Sequence, residues 1–163
     1  MSNILCLYYS RSGNTMAAME EVAQMLDAEL VEITDGQPRL GKLGYLRCCF
    51  DAVRRTSLKT MPIAASRPLD QYQLVILGTP VWVGRCSSVM RSFLKYHGYK
   101  IPAAAFLITR SGEVQHREVY EQMDQYLSVP RVAEVSLRPG DTGYRFWINQ
   151  FVTNIKNQCH IQE

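Results

Sequence analysis

The stretch that decides the fold is Ser10-Arg11-Ser12-Gly13-Asn14-Thr15, set between an apolar run, Ile4–Tyr9, and a helical pattern that starts directly after it. Ile4–Tyr9 reads as a strand buried on both faces, as in parallel sheets. From Met16 onward, Met16, Met19, Val22, Ala23, Met25 and Leu26 recur at helical spacing. A turn of this kind gathers free backbone N–H groups and hydroxyls at the positive end of a helix dipole, which is how a phosphate is held. An ordinary turn in which Ser or Asn only caps the helix would carry some of the same residues.

The spacing narrows the choice of phosphate. There is no G-x-x-x-x-G-K-[ST], so no nucleoside-triphosphate loop, and no G-x-G-x-x-G, so no dinucleotide fingerprint. Ser10, Ser12 and Thr15 supply hydroxyls, Asn14 an amide, and Arg11 the one full charge. Such a set suits a terminal monophosphate neutralised mainly by hydrogen bonds.

Working outward, strands alternate with helices. The strands expected are Ile4–Tyr9, Leu30–Ile33, Leu74–Gly78, Ala104–Thr109 and Val132–Leu137. The helices expected are Asn14–Asp27, Leu40–Leu58, Cys86–His97, Gln115–Leu127 and Tyr144–Asn157. Thr60–Leu69, with two prolines, reads as a loop. Five β–α units imply a three-layer, doubly wound α/β fold, a parallel sheet with helices on both faces. The 163 residues suit a single domain spanning 1–163, and 47% apolar residues argue against disorder. No targeting signal or membrane-length apolar run is present, so a cytoplasmic protein without membrane or nucleic-acid partners is expected. The five cysteines form no C-x-x-C and read as reduced thiols, with no metal site.

In open α/β sheets ligands bind beyond the carboxyl ends of the strands. That rule brings together Ser10–Thr15, Thr79–Arg85 and Thr109–Glu113. The second segment, Gly78-Thr79-Pro80-Val81-Trp82-Val83-Gly84, follows the apolar strand Leu74–Leu77. Trp82 falls where that strand is expected to have ended, so its ring is free to stack on a planar ligand instead of filling the core.

These two motifs, in this order, resemble the flavodoxin-like family. The hexapeptide matches its [ST]-x-[ST]-G-x-T phosphate loop. Gly78-Thr79-Pro80 resembles the start of the corresponding loop in FMN-dependent NAD(P)H:quinone reductases. The resemblance covers essentially the whole chain. It implies a five-stranded sheet in order 2-1-3-4-5, bound FMN, and one- or two-electron transfer. It assigns the phosphate to Ser10, Arg11, Ser12, Gly13, Asn14 and Thr15. It assigns the ribityl chain and isoalloxazine to Thr79, Pro80, Val81, Trp82, Val83 and Gly84, with Thr109, Arg110, Ser111 and Gly112 on the opposite side. Arg110 and Arg85 would be the cations bearing on flavin potential.

Two departures from the family pattern bear on function. The third loop, Thr109 to His116, has no aromatic to close a sandwich on the ring, which would leave a face open to nicotinamide or quinone unless Tyr144 or Tyr99 reaches it. Charge is the other departure, since flavodoxins tend to be acidic whereas this chain carries +3. Between Gln37 and Arg67 seven bases (Arg39, Lys42, Arg47, Arg54, Arg55, Lys59, Arg67) face one acid, Asp51. There Leu40, Leu43, Leu46, Phe50, Val53 and Ser57 form a helical stripe expected to pack inward, leaving the charges solvated. The alternative is a basic surface for an acidic redox partner or a phosphorylated nicotinamide. The resemblance leads to an FMN-binding electron-transfer protein, with an FMN-dependent NAD(P)H:quinone oxidoreductase as the alternative and a monomer or a dimer as the assembly. Cys86 is expected at a helix start, where a thiol pKa falls, but reads first as a small packed residue. His116, at the next helix start near the ligand edge, is placed to protonate a reduced substrate but reads first as a solvated surface histidine.

Overall fold

The computed structural model describes residues 2–54 and 59–161. Along the chain run β1 (Ile4–Tyr8), α1 (Asn14–Leu26), β2 (Glu29–Glu32), α2 (Gly41–Arg54), β3 (Leu74–Trp82), β4 (Arg85–Cys86), α3 (Ser88–His97), β5 (Ala104–Thr109), α4 (Arg117–Asp124), β6 (Ala133–Leu137) and α5 (Tyr144–Cys159). The five parallel strands lie in the order β2-β1-β3-β5-β6. This is the expected 2-1-3-4-5 arrangement, with β4 added as a short antiparallel strand on β3.

The central strands β1, β3 and β5 are apolar on both faces because helices cover both. One core lies under α2, α3 and α4, built on Leu5, Leu7, Val75, Leu77, Phe93 and Phe106. The other lies under α1 and α5, built on Cys6, Met19, Ile76, Leu107, Ile148 and Phe151. Alternate residues of each strand thus serve opposite layers. Gly78 lets α1 lie close: a Cβ there would run into the Met19 side chain. Among the described residues no helix is long and apolar enough to cross a membrane, and all five cysteines are free thiols.

Three local expectations are corrected. β3 does not stop at Gly78 but continues to Trp82, then turns at Val83-Gly84 into β4. Both turn residues have positive φ, 51° and 67°, as a two-residue hairpin of primed type requires. A β-branched valine is a poor sequence signal for that conformation. Cys86 therefore lies in β4, not at a helix start; α3 begins at Ser88, capped by the Ser87 hydroxyl, which accepts from the Met90 N–H at 3.1 Å. Burial pushes the Cys86 thiol up to about 11, which fits the small packed residue expected there and not the lowered thiol of a helix start.

The third correction concerns α2. Its buried residues are Gly44, Cys48, Asp51 and Ala52, while Leu40, Leu43, Leu46, Phe50 and Val53 are exposed. The helix is turned with its small residues inward. Gly44 sets this approach, because a Cβ there would overlap the Arg39 backbone carbonyl. Asp51 is drawn inside by Arg39, whose guanidinium donates to Asp51 at 2.7 Å and to Asp35 at 2.8 Å, all three side chains being nearly inaccessible. Ser57 and the expected helix end at Leu58 lie outside the described residues.

Candidate functional site

A cavity of about 310 Å³ opens at the carboxyl edge of the sheet, where the segments after β1, β3, β5 and β6 meet. Its first wall is the β1–α1 turn. Ser10 Oγ accepts from the Gly13 N–H at 3.0 Å, and Gly13 takes φ 96°, a conformation that costs other residues energy. That bend starts α1 with no side chain capping it. The first-turn N–H groups of α1 are therefore left for a ligand, with Ser10, Arg11, Ser12, Asn14 and Thr15 around them.

The second wall is β3 itself. Pro80, Val81 and Trp82 face the cavity. Trp82 is nonetheless only 4% exposed and belongs to the core, contrary to the expectation of a ring free of it. Tyr9 meets it edge-on at 5.6 Å, and the Arg39 guanidinium lies 5.5 Å from its ring centre. The indole is thus a fixed part of the wall. The ring with an open face is Tyr45 of α2, 52% exposed, with the Arg11 guanidinium 5.5 Å from its centre.

The third wall is the segment after β5. Thr109, Arg110 and Ser111 line it. The Thr109 hydroxyl is 2.7 Å from that of Thr15, buried, so the first and third walls are joined by a hydrogen bond. Arg110 is held in place: its Nε donates to Ser136 Oγ at 3.0 Å and its guanidinium to the Gly112 carbonyl. Arg138 and Pro139, after β6, complete the rim, with Glu113 3.7 Å from Arg138. The set is cationic, hydroxyl-rich and partly aromatic, and it suits a planar ligand with an anionic tail. Among the described residues no group of three metal-ligating side chains occurs.

Of the residues expected at the site, Ser10, Arg11, Ser12, Asn14, Thr15, Pro80, Val81, Trp82, Thr109, Arg110 and Ser111 line this one cavity. Gly13 acts through its backbone bend. Thr79 faces away: its hydroxyl is fully buried, accepting from the Ser87 N–H and donating to Ser87 Oγ, both at 3.0 Å. Val83 and Gly84 form the hairpin turn, and Gly112 serves Arg110 through its carbonyl. Arg85 pairs with Trp82 across the hairpin, outside the lining residues. His116 stands at the N-cap position of α4 without a side-chain capping bond, its Nδ1 2.8 Å from Glu118 Oε1, also away from the cavity. Tyr99 and Tyr144 do not line it either; the aromatic that does, Tyr45, comes from α2. Sequence reasoning missed Tyr45 because it lies off the helix's apolar stripe. Arg138 was within reach of the same rule that picked out the other strand ends.

By sequence, the chain matches no protein-family model and no curated protein. Solved structures match it by fold. A flavoprotein from Lactobacillus acidophilus NCFM in complex with FMN is 18% identical, with 90% of this chain and 99% of that chain aligned and a TM-score of 0.67. The flavodoxin, WrbA-like protein from Agrobacterium tumefaciens is 16% identical over the whole of both chains, with a TM-score of 0.60. An NAD(P)H:quinone oxidoreductase from Methanothermobacter marburgensis is 12% identical, covering 98% of this chain and 97% of that one, with a TM-score of 0.54. The chain has the flavodoxin-like fold.

Proposed function

We propose that this chain binds FMN in the cavity at the carboxyl edge of its sheet and serves as a flavodoxin-like redox protein. The observation that carries the proposal is the uncapped start of α1, ringed by Ser10, Ser12, Asn14 and Thr15 and set beside aromatic walls. The α1 amides and these hydroxyls would hold the phosphate, with Arg11 adding charge. Pro80, Val81 and Trp82 would form a rigid wall for the ring and Tyr45 a movable cover. When bound, FMN supplies one- and two-electron chemistry, and the protein tunes it by charge and exclusion of water. Arg110, fixed by Ser136 and Gly112, would favour negative charge on the ligand it faces.

A second reading, an FMN-dependent NAD(P)H:quinone oxidoreductase, is supported by the third wall. Thr109–Gly112 carries no aromatic to close that side, and Arg110 with Arg138 offers cations to an anionic cosubstrate. The likeness to an NAD(P)H:quinone oxidoreductase concerns the shared fold.

Reconstitution tests the first proposal and anaerobic reduction separates the two readings. Protein incubated with FMN and desalted is expected to be yellow with quenched flavin fluorescence; a colourless sample overturns both. Rapid bleaching by NADPH with turnover on a quinone supports the oxidoreductase, and reduction only through an added reductase supports the carrier.

A further inference from the structure

The outward face of α2 has no account in the site or the core. Leu43 is 83% exposed and Phe50 55%, with Leu40, Leu46 and Val53 between those values. Met61, also exposed, shares a shallow depression with Arg47 on the same side. Single exposed apolar residues are ordinary on a monomer, but five large ones recurring along one side of a helix and its approach mark a docking surface. At about 3.6 residues per turn, Leu43, Leu46, Phe50 and Val53 fall on one ridge opposite the buried Gly44 and Cys48. Lys42 lies on one flank of that ridge, and Arg47 and Arg54 on the other.

We propose that α2 is a membrane-surface anchor, its apolar ridge entering the headgroup region of an anionic bilayer while Lys42, Arg47 and Arg54 meet lipid phosphates. Charge argues first. The only acid on α2, Asp51, is buried and paired with Arg39, so every exposed charge on the helix is positive. A second copy docked through the same helix would set these bases against themselves without a carboxylate to offset them. An anionic surface complements them.

Composition argues next. The ridge is Leu43, Leu46, Phe50 and Val53, and its side chains offer no hydrogen-bonding group. Protein interfaces concentrate their energy in Trp, Tyr and Arg, with Leu and Val under-represented, and they carry about one hydrogen bond per 100–200 Å². Lipid asks for neither. An apolar ridge flanked by bases on a helix about 21 Å long is the layout of an interfacial helix. Tyr45, which lines the cavity, lies on the same helix about a third of a turn round from the ridge. The anchor does not depend on what the cavity holds.

Flotation of the full chain with vesicles tests this. The wild-type chain is expected to float with vesicles of phosphatidylglycerol and phosphatidylcholine in equal parts at low salt, and weakly or not at all with pure phosphatidylcholine. Leu43→Glu and Phe50→Glu, both at exposed positions, should each lower the partition coefficient about tenfold or more, the loss of one buried apolar side chain. Arg47→Glu/Arg54→Glu should lose the preference for phosphatidylglycerol, which gives a second readout if one variant folds poorly. Absence of wild-type flotation overturns the proposal, as does equal flotation of the Leu43→Glu and Phe50→Glu variants. A dimer that these variants dissociate, without vesicle binding, assigns the ridge to a second copy. Retention on immobilised polyglutamate through the same residues, without vesicle binding, assigns it to an acidic protein.

Discussion

The hydroxyls of Thr15 and Thr109 lie 2.7 Å apart, buried, and join the first turn of α1 to the last residue of β5. Ninety-four residues separate them in sequence. The bond fixes the distance between the β1–α1 turn and the third wall of the cavity. Thr15→Val or Thr109→Val leaves one buried hydroxyl without its partner, and each should cost about 1–3 kcal/mol in urea unfolding. Because the two single losses share one bond, the double variant should cost less than their sum.

Ser12 is exposed and lines the cavity beside the start of α1. Ser12→Asp places a carboxylate where the ligand's phosphate is expected. The fold should be unchanged, with an unaltered circular dichroism spectrum. FMN retention after desalting should fall by at least about tenfold through like-charge repulsion. Unaltered retention would remove the phosphate from this turn.

Gly44 and Gly112 make a matched pair for calorimetry. A Cβ at Gly44 would overlap the Arg39 carbonyl, so Gly44→Ala must separate α2 from the segment before it. A loss of about 1–3 kcal/mol is expected, as for an overpacked site. A Cβ at Gly112 meets nothing within 4 Å, and Gly112→Ala should change stability by no more than about 0.5 kcal/mol.

Arg39 stands between Asp35 and Asp51 and against the Trp82 ring. Arg39→Met would leave two carboxylates buried without a cation, and a destabilisation of about 3–5 kcal/mol is expected. Trp82 is buried and Trp147 half exposed, so the blue-edge tryptophan emission reports on Trp82 and should shift red in this variant. Asp51→Asn keeps the packing and should leave that emission nearly as in the wild type.

Glu29 supplies a pH test. Its burial alone would raise its pKa, but the Ser66 hydroxyl and N–H and the Tyr72 hydroxyl donate to it, at 2.6–2.7 Å, and with nearby Arg67 they leave it lowered. A folded-state pKa below the unfolded one adds stability that is complete above the ordinary carboxylate value and is lost as pH falls through the folded pKa. The stability gap between wild type and Glu29→Gln should therefore be full at neutral pH and close below about pH 4. A gap that widens with acid would mean that the linkage has been assigned the wrong sign.

The sheet was legible because its signal is local. Ile4–Tyr8, Leu74–Leu77 and Ala104–Thr109 are short apolar runs bounded by turn residues, and β5 has the expected bounds. The first-wall residues were legible because Gly13 and the hydroxyls around it form a compact motif. The orientation of α2 was not, because periodicity marks where large apolar residues cluster and does not say which face a sheet will accept. Here the partner surface accepts Gly44, Cys48 and Ala52, and the Arg39–Asp51 pair is a tertiary contact with no local trace. The β3–β4 hairpin escaped for a related reason, Val83 occupying a position where Gly or Asn is the usual cue.

The walls of the cavity are anchored to parts of the molecule that differ in resistance to local opening. Pro80, Val81 and Trp82 extend a strand that is paired with β1 on one side as far as Gly78 and with β5 on the other as far as Pro80, while Val81 and Trp82 pair with β4. Tyr45 rides on a helix whose inward face is small residues and one ion pair. Amides of β3 should exchange with solvent only on global unfolding, and those of α2 at much lower free energy. On the proposed function, release of the flavin would follow the local opening of α2, while the sheet forming the opposite wall stays closed.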